Sequence, residues 1–211
     1  MCFQTQISFS VTSYRLMNAK NKKNLLLKIG QEFFASQGFT NVGLAEILKQ
    51  ANIPKGSFYY YFNSKEDYGV QVIDHYIDNY IMALQSLLKS SSLSGKDRLL
   101  KYWEKWQFSQ CDNNFEGHCL IVKLSSEVTD YSEPMRKAFC RGTDRILSLI
   151  AQIIAIGQKD NSIHNQADNF FIAQQLYQQW LGASLMVKIQ KRSTAFTIAL
   201  HFTNFLLDNN I

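Results

Sequence analysis

The chain has 211 residues, 46% hydrophobic and 18% charged, which suits a folded protein with a sizeable core and excludes disordered and collagen-like chains. No run approaches the roughly eighteen consecutive apolar residues of a membrane helix, and no basic region opens residues 1–13 as in a signal peptide. The net charge of +5 is concentrated at one end, because residues 18–65 carry seven lysines against only Glu32 and Glu46. A basic end on a neutral body points to contact with a polyanion. The four cysteines (Cys2, Cys111, Cys119, Cys140) form no CxxC pair, which excludes a disulfide scaffold and a structural zinc site. They read as free thiols of a cytoplasmic protein with no metal or cofactor.

Residues 1–16 show no helical stripe and precede a second methionine, Met17, so 1–17 is expected to be a flexible tail translated from an upstream start. From about Asn21 the spacing predicts a helix with Leu25, Leu26, Ile29, Phe33 and Phe34 on one face, stopped by Gly38. Short helices are expected from Leu44 to about Ala51 and from Pro54 to Tyr61, since proline suits a first turn. Asn63 with Glu66, or Ser64 with Asp67, forms a capping box that opens a long helix to about Lys89. After a serine-rich loop, Ser94 and Asp97 cap a helix bearing Leu99, Leu100, Trp103 and Trp106. Residues 111–117 read as a polar loop. Helices over Leu120 to Val128, Ser132 to Ile156 (before Gly157), Ala167 to Ile189 and Thr194 to Leu207 complete an all-α chain of about nine helices. The expected organisation is a tail over 1–17, a three-helix head over 18–65 and a helical body over 66–211.

Between Trp180 and Ile189 only Ser184 and Lys188 are polar. The last helix carries two stripes, Ala195/Ala199/Phe202/Leu206 and Phe196/Leu200/Phe205. A helix that is apolar on two sides needs two partners. The chain's own core is one, and the same helix pair of a second copy is the other, so a homodimer through the last two helices is expected.

Leu44 to Phe62 is the stretch that speaks to function. Two short helices separated by Asn52-Ile53 form a helix-turn-helix, and asparagine tolerates the left-handed backbone such a turn needs. Phe58 and Phe62 face inward with Ile53, leaving Lys55, Gly56, Ser57, Tyr59 and Tyr60 on the opposite face. Lysine and tyrosine suit phosphate oxygens, and Ser57 or Tyr59 can reach base edges. An enzyme is not expected: there is no glycine-rich phosphate loop, no G-x-S-x-G elbow and no H-E-x-x-H. The alternative is a helical adaptor that binds protein through the basic head, which would not need three tyrosines beside Lys55.

These residues resemble the TetR family of transcriptional repressors. The resemblance rests on Gly38-Phe39, on Leu44 to Leu48, and on the run from Ala51 to Glu66, which contains the family pattern K-G-S-x-Y-x-Y-F-x-x-K. It implies that Lys55, Gly56, Ser57, Tyr59, Tyr60 and Tyr61 face a palindromic double-stranded operator, with Lys65 on a phosphate. Departures are Gly43, where a capping Ser or Thr is common, Asn52 for a turn glycine, and Pro54 for a serine. Further blocks, Gly117 to Val128, Ser132 to Arg136 and Trp180 to Leu185, are similar to a subgroup in which some members respond to electrophiles through a cysteine. That cysteine aligns with Ser109, and Lys188 matches a lysine of the subgroup. The inducer is thus expected to be a small molecule or an electrophile.

Candidate sensing residues follow. Cys119 stands where a helix begins, beside His118 and four residues before Lys123, while Cys111 lies in the predicted loop. A reactive thiol needs such cationic or helix-terminal surroundings, although a free cysteine is more often a small buried apolar residue. His118 with Cys111 and Cys119 lacks the spacing and fourth ligand of a metal site. Lys188 perturbs a thiol, binds an anion or snorkels to the surface. Trp103, Trp106, Tyr177 and Trp180 line a ligand pocket or form plain core.

Overall fold

The computed structural model describes residues 4–115 and 119–209, and the side chains of 21–111 and 119–209. Among the described residues there are nine α-helices and no strand: α1 (Gln4–Gln37), α2 (Leu44–Ala51), α3 (Lys55–Tyr61), α4 (Lys65–Leu88), α5 (Gly95–Phe115), α6 (Leu120–Val128), α7 (Glu133–Lys159), α8 (Asn169–Gln190) and α9 (Thr194–Asp208). Helices α1 to α3 with the start of α4 form the head. In the body α7 is the central helix, packed along α4 on one side and α8 on another, with α9 laid on α8. No helix among the described residues is long and apolar enough to cross a membrane.

Local signals account for most boundaries. Gly38 ends α1 with φ 87°, and its N–H reaches the Phe34 carbonyl at 3.0 Å. Of the two capping boxes, Ser64 with Asp67 forms: Ser64 accepts from the Asp67 amide at 3.0 Å, and Asp67 accepts from the Asn63 amide at 2.8 Å. Ser94 accepts from the Asp97 amide, Ser132 from Met135 and Asp168 from Phe171, so three further helices open on side-chain caps.

Three boundaries differ from expectation. The helical backbone of α1 begins at Gln4, not near Asn21, so the expected tail is helical from that point. No glycine or proline interrupts residues 4–29, and absence of a stripe does not stop a backbone that nothing breaks. For the same reason α5 runs through Cys111 to Phe115 where a polar loop was expected. Gly157 does not stop α7, which continues to Lys159. Its role is packing. A Cβ on Gly95 would run into the Gly157 backbone, and one on Gly157 would meet the Ile163 side chain, so the paired glycines let α5 cross α7 closely.

The body core is an aromatic stack. Trp103 and Trp180 lie parallel at 4.7 Å with planes 5° apart, and Trp180 continues onto Phe196 at 5.6 Å. Indole N–H groups are partnered where helices meet: Trp106 donates to Ser184 at 2.8 Å and Trp180 to Thr203 at 3.0 Å. On α9, Phe196, Ala199, Thr203, Leu206 and Leu207 face this core. Ala199 and Leu206 therefore share a face with Phe196, a different division from the expected stripes, because the helix is apolar nearly all round and its orientation is set by the Trp180 contact.

Candidate nucleic-acid interface

The turn between α2 and α3 is built by Asn52, whose left-handed backbone (φ 52°, ψ 46°) ends α2 while its N–H bonds to the Lys49 carbonyl at 3.2 Å. Pro54 then supplies an extended N-cap (φ −61°, ψ 145°) for α3. This angle is held from beneath. Ile47, Phe58 and Phe62 are buried, and Phe58 packs on Phe62 at 5.0 Å and on Tyr68 at 5.4 Å. Tyr68 in turn donates its hydroxyl to the Leu26 carbonyl at 2.5 Å, which ties α4 to α1. Burial pushes the Tyr68 hydroxyl well above its ordinary range, so it stays a donor.

With Phe58 pointing in, α3 presents its other face to solvent. Tyr60 is 74% exposed and Tyr59 56%; Lys55 and Gly56 are exposed, while Ser57 and Tyr61 are half-buried. Added Cβ atoms at Gly56 or Gly43 would meet nothing within 4 Å, so these glycines keep the surface low where α2 and α3 begin. Gly43 offers no side-chain cap, as its residue type dictates. Lys65 stands apart from this face. Its ammonium donates to the Phe39 carbonyl at 2.8 Å and sits 4.6 Å above the Phe39 ring, which uses one of its three N–H groups. Burial lowers its proton affinity, while the Glu127 charge opposes that shift.

A joint between head and body lies directly behind the interface, and sequence reading did not find it. Glu127, near the end of α6, accepts from the Thr40 amide at 2.7 Å and the Phe39 amide at 3.1 Å, gripping the loop after α1. Tyr131 pairs its hydroxyl with Thr40 at 3.1 Å, and Ser132 donates to Glu66 at 2.7 Å. Burial pushes the Glu127 carboxyl up, but the Thr40 and Phe39 bonds and the Lys123 charge outweigh it and leave it below its ordinary value. That sign fixes a pH dependence. The grip is complete above the unfolded value of about 4.3 and is lost as pH falls through the lower folded one. Glu127→Ala is expected to cost about 1–2 kcal/mol at neutral pH, a deficit that shrinks toward zero in acid. Denaturant titrations at both pH values check this, and a deficit independent of pH would contradict it.

Two family models match the chain: bacterial regulatory proteins of the tetR family over residues 26–67, and the tetracyclin repressor-like C-terminal domain over 95–202. The chain is also 37% identical over 182 residues to the HTH-type transcriptional repressor NemR of Escherichia coli K12, covering 86% of this chain and 92% of that protein. The chain belongs to the TetR family. The HTH-type transcriptional repressor DhaR of Mycobacterium sp. strain GP1 is 29% identical, with 79% of this chain and 82% of DhaR covered. The crystal structure of the reduced form of E. coli NemR superposes with a TM-score of 0.84 at 36% identity, over 89% of this chain and 97% of that one. The chain is therefore a DNA-binding transcriptional regulator of the TetR type, and the adaptor alternative has no support. TetR-family regulators bind operator DNA and form dimers.

In this TetR body the sensing candidates fall in separate groups: Cys111 and Trp180 line a cavity between α5, α8 and α9, and Cys119 lies within reach of the Lys188 charge. Trp103, Trp180 and Tyr177 are core, 3% exposed or less. Trp106 lines a cavity between α1, α4 and α5 together with Tyr76, Tyr80, Tyr102 and Ser109. Cys119 is buried, and burial raises its thiol; the Val122 and Ile121 amides, the Tyr76 hydroxyl and the Lys188 charge pull the other way without overcoming it. Cys111 is half-buried on α5, and burial raises its thiol too. His118 lies outside the described residues. The three tyrosines of the cavity wall escaped sequence reading because they sit on two helices with buried apolar neighbours, and their periodicity is that of ordinary core.

Proposed function

We propose that the exposed face of α3 reads operator DNA, with Tyr60, Tyr59 and Ser57 against base edges and sugars, Lys55 on a phosphate, and Gly56 and Gly43 admitting the duplex backbone closely. Tyr61 and Lys65 serve at the margin, where two N–H groups of Lys65 remain for a phosphate oxygen. The observation that carries this reading is the outward face from Lys55 to Tyr60, set at a fixed angle by Asn52 and the buried Phe58. Titrating specific and random duplexes at several salt concentrations tests it: steep salt dependence and a large ratio between the two are expected. A ratio near one would refute sequence-specific docking.

The dimer is proposed to form through α8 and α9, giving two reading heads about 34–36 Å apart on a palindromic operator. Supporting this, Leu185, Met186, Ile189, Ile198, Leu200 and Phe205 are all exposed on these two helices. A groove of about 710 Å³ runs between them, and a Cβ on Gly182 there would meet nothing within 4 Å. So much exposed apolar surface is unusual for a monomer. Ile198→Asp is expected to yield monomers by analytical ultracentrifugation and to lower operator affinity by roughly 10²–10⁴-fold, because the second head no longer binds as part of one molecule. A dimeric variant would move the interface elsewhere.

Release is proposed to follow ligand binding in the body, which favours a state with altered head spacing and lowers affinity only as far as the ligand discriminates between the states. Of the two routes expected from sequence, reversible binding is favoured over modification of Cys119, whose side chain is 2% exposed whereas a sensor thiol needs access. The grip of Glu127 on the loop after α1 offers the path from body to head.

A further inference from the structure

We infer that Lys23 of α1 binds the phosphate strand at the C-terminal end of α3, so that each head holds both walls of the major groove with cations from two different helices. The inference rests on the reading of α3 as the helix that enters the groove, and adds a contact to it. Helix α3 has only seven residues, about 10 Å of axis, close to the roughly 12 Å width of the major groove. Its two ends therefore stand near the two strands. The one cation of α3 is Lys55, its first residue, which serves one strand. At the other end α3 reads Tyr59-Tyr60-Tyr61 and supplies no positive charge of its own.

Lys23 fills that place. Its ammonium lies 5.6 Å from the centroid of the Phe62 ring, and Phe62 is the residue that caps α3. The exposed tyrosine face leads to it without a break: Tyr60 meets Tyr61 at 5.0 Å, and Tyr61 meets Phe62 at 6.2 Å. Contact with a ring face leaves an ammonium its charge and its N–H groups for an acceptor. Lys23 makes no ion pair among the described residues, so no protein carboxylate competes with a phosphate for it. Lys65 is less suited to the same strand, because its ammonium already donates to the Phe39 carbonyl.

The sequence around Lys23 carries the charge such a contact needs. Residues 1–31 hold five basic residues and no acidic one, the first carboxylate of the chain being Glu32. A stretch of that composition beside a duplex releases counterions with no like charge to oppose it. The course of α1 brings this stretch to the operator side. Glu127 of the body grips the loop at the C-terminal end of α1, and α1 runs from there to the end of α3, so its earlier residues lead away from the body. Lys28 stands on the same helix but is exposed on another side, about 140° round the axis from Lys23.

The probes are a random duplex and a duplex selected by binding from a random-sequence pool. Anisotropy titrations of the full chain over a range of salt concentrations give the slope of log affinity against log salt. Lys23→Met keeps an apolar stem over Phe62 and removes the charge. It is expected to lower the slope by about one for each head bound, and to weaken both duplexes by the same factor, because a phosphate contact carries no sequence information. Lys23→Arg is expected to retain the wild-type slope. Lys28→Met removes the same charge from another side of α1 and is expected to leave the slope unchanged. Wild-type thermal unfolding is expected for all three. A wild-type slope in Lys23→Met, or an equal loss in Lys28→Met, would overturn the contact. Lys55→Ala, measured alongside, separates that result from failure of the α3 reading: if it alone flattens the slope, only Lys23 is removed from the interface, and if neither variant does, α3 is removed with it.

Discussion

Tyr60→Ala and Lys55→Ala are each expected to weaken operator binding by about ten- to a hundredfold without altering the dimer. Both side chains are exposed, and the Tyr60 ring touches Tyr61 rather than the core, so neither truncation removes support from the fold. What each loses is contact with DNA. A side chain at a base edge is worth about 1–3 kcal/mol of discrimination, and a lysine on a phosphate contributes about one unit of salt slope. The two variants therefore separate in a salt titration. Lys55→Ala is expected to lower affinity for all duplexes and flatten the slope, whereas Tyr60→Ala is expected to narrow the gap between operator and random sequence. Fluorescence anisotropy with both duplexes checks this, and wild-type affinity in both variants would remove α3 from the groove.

Phe58→Ala should abolish the same binding by another route. Phe58 is fully buried where α3 meets α4, against Phe62 and Tyr68, and Tyr68 reaches on to the α1 backbone. Truncating a buried phenylalanine typically costs about 3–5 kcal/mol, comparable with the whole stability of a small domain. The head is expected to melt at lower temperature than the body, whose Trp103–Trp180 stack is remote from the change, and operator binding is expected to disappear with it. Calorimetry distinguishes this from Lys55→Ala, which leaves the melting profile unchanged. A Phe58→Ala protein with wild-type melting would show that α3 is held by something other than this aromatic cluster.

The head was legible residue by residue because its signals are local. Gly38 and Asn52 occupy the left-handed positions their types permit, Ser64 and Asp67 close the cap, and the four-residue spacing of Phe58 and Phe62 sets which side of α3 turns inward. Local reading failed where it treated an absence or a glycine as a boundary. Residues 4–16 have no stripe but also no breaker, and Gly157 marks a close crossing with Gly95 instead of an end. The tryptophans could not be divided between pocket and core from sequence: a buried indole and a pocket-lining indole have the same helical spacing, and it is packing that sets Trp106 on the cavity between α1, α4 and α5 and Trp180 at the edge of another beside Cys111.

Composition, period and turn chemistry along the chain thus determined an all-α protein with a basic helix-turn-helix head and the residues on the outer face of α3. Tertiary structure alone decided that Glu127 holds Phe39 and Thr40 from 87 residues away or more, that Ser132 meets Glu66, and that Trp106 of α5 donates to Ser184 of α8. The physical reason is range. A cap or a turn is settled by atoms a few residues apart and leaves its mark in adjacent residue types. A carboxylate on a distant amide, or an indole on a distant hydroxyl, depends on how whole helices cross, and helical period carries no record of that.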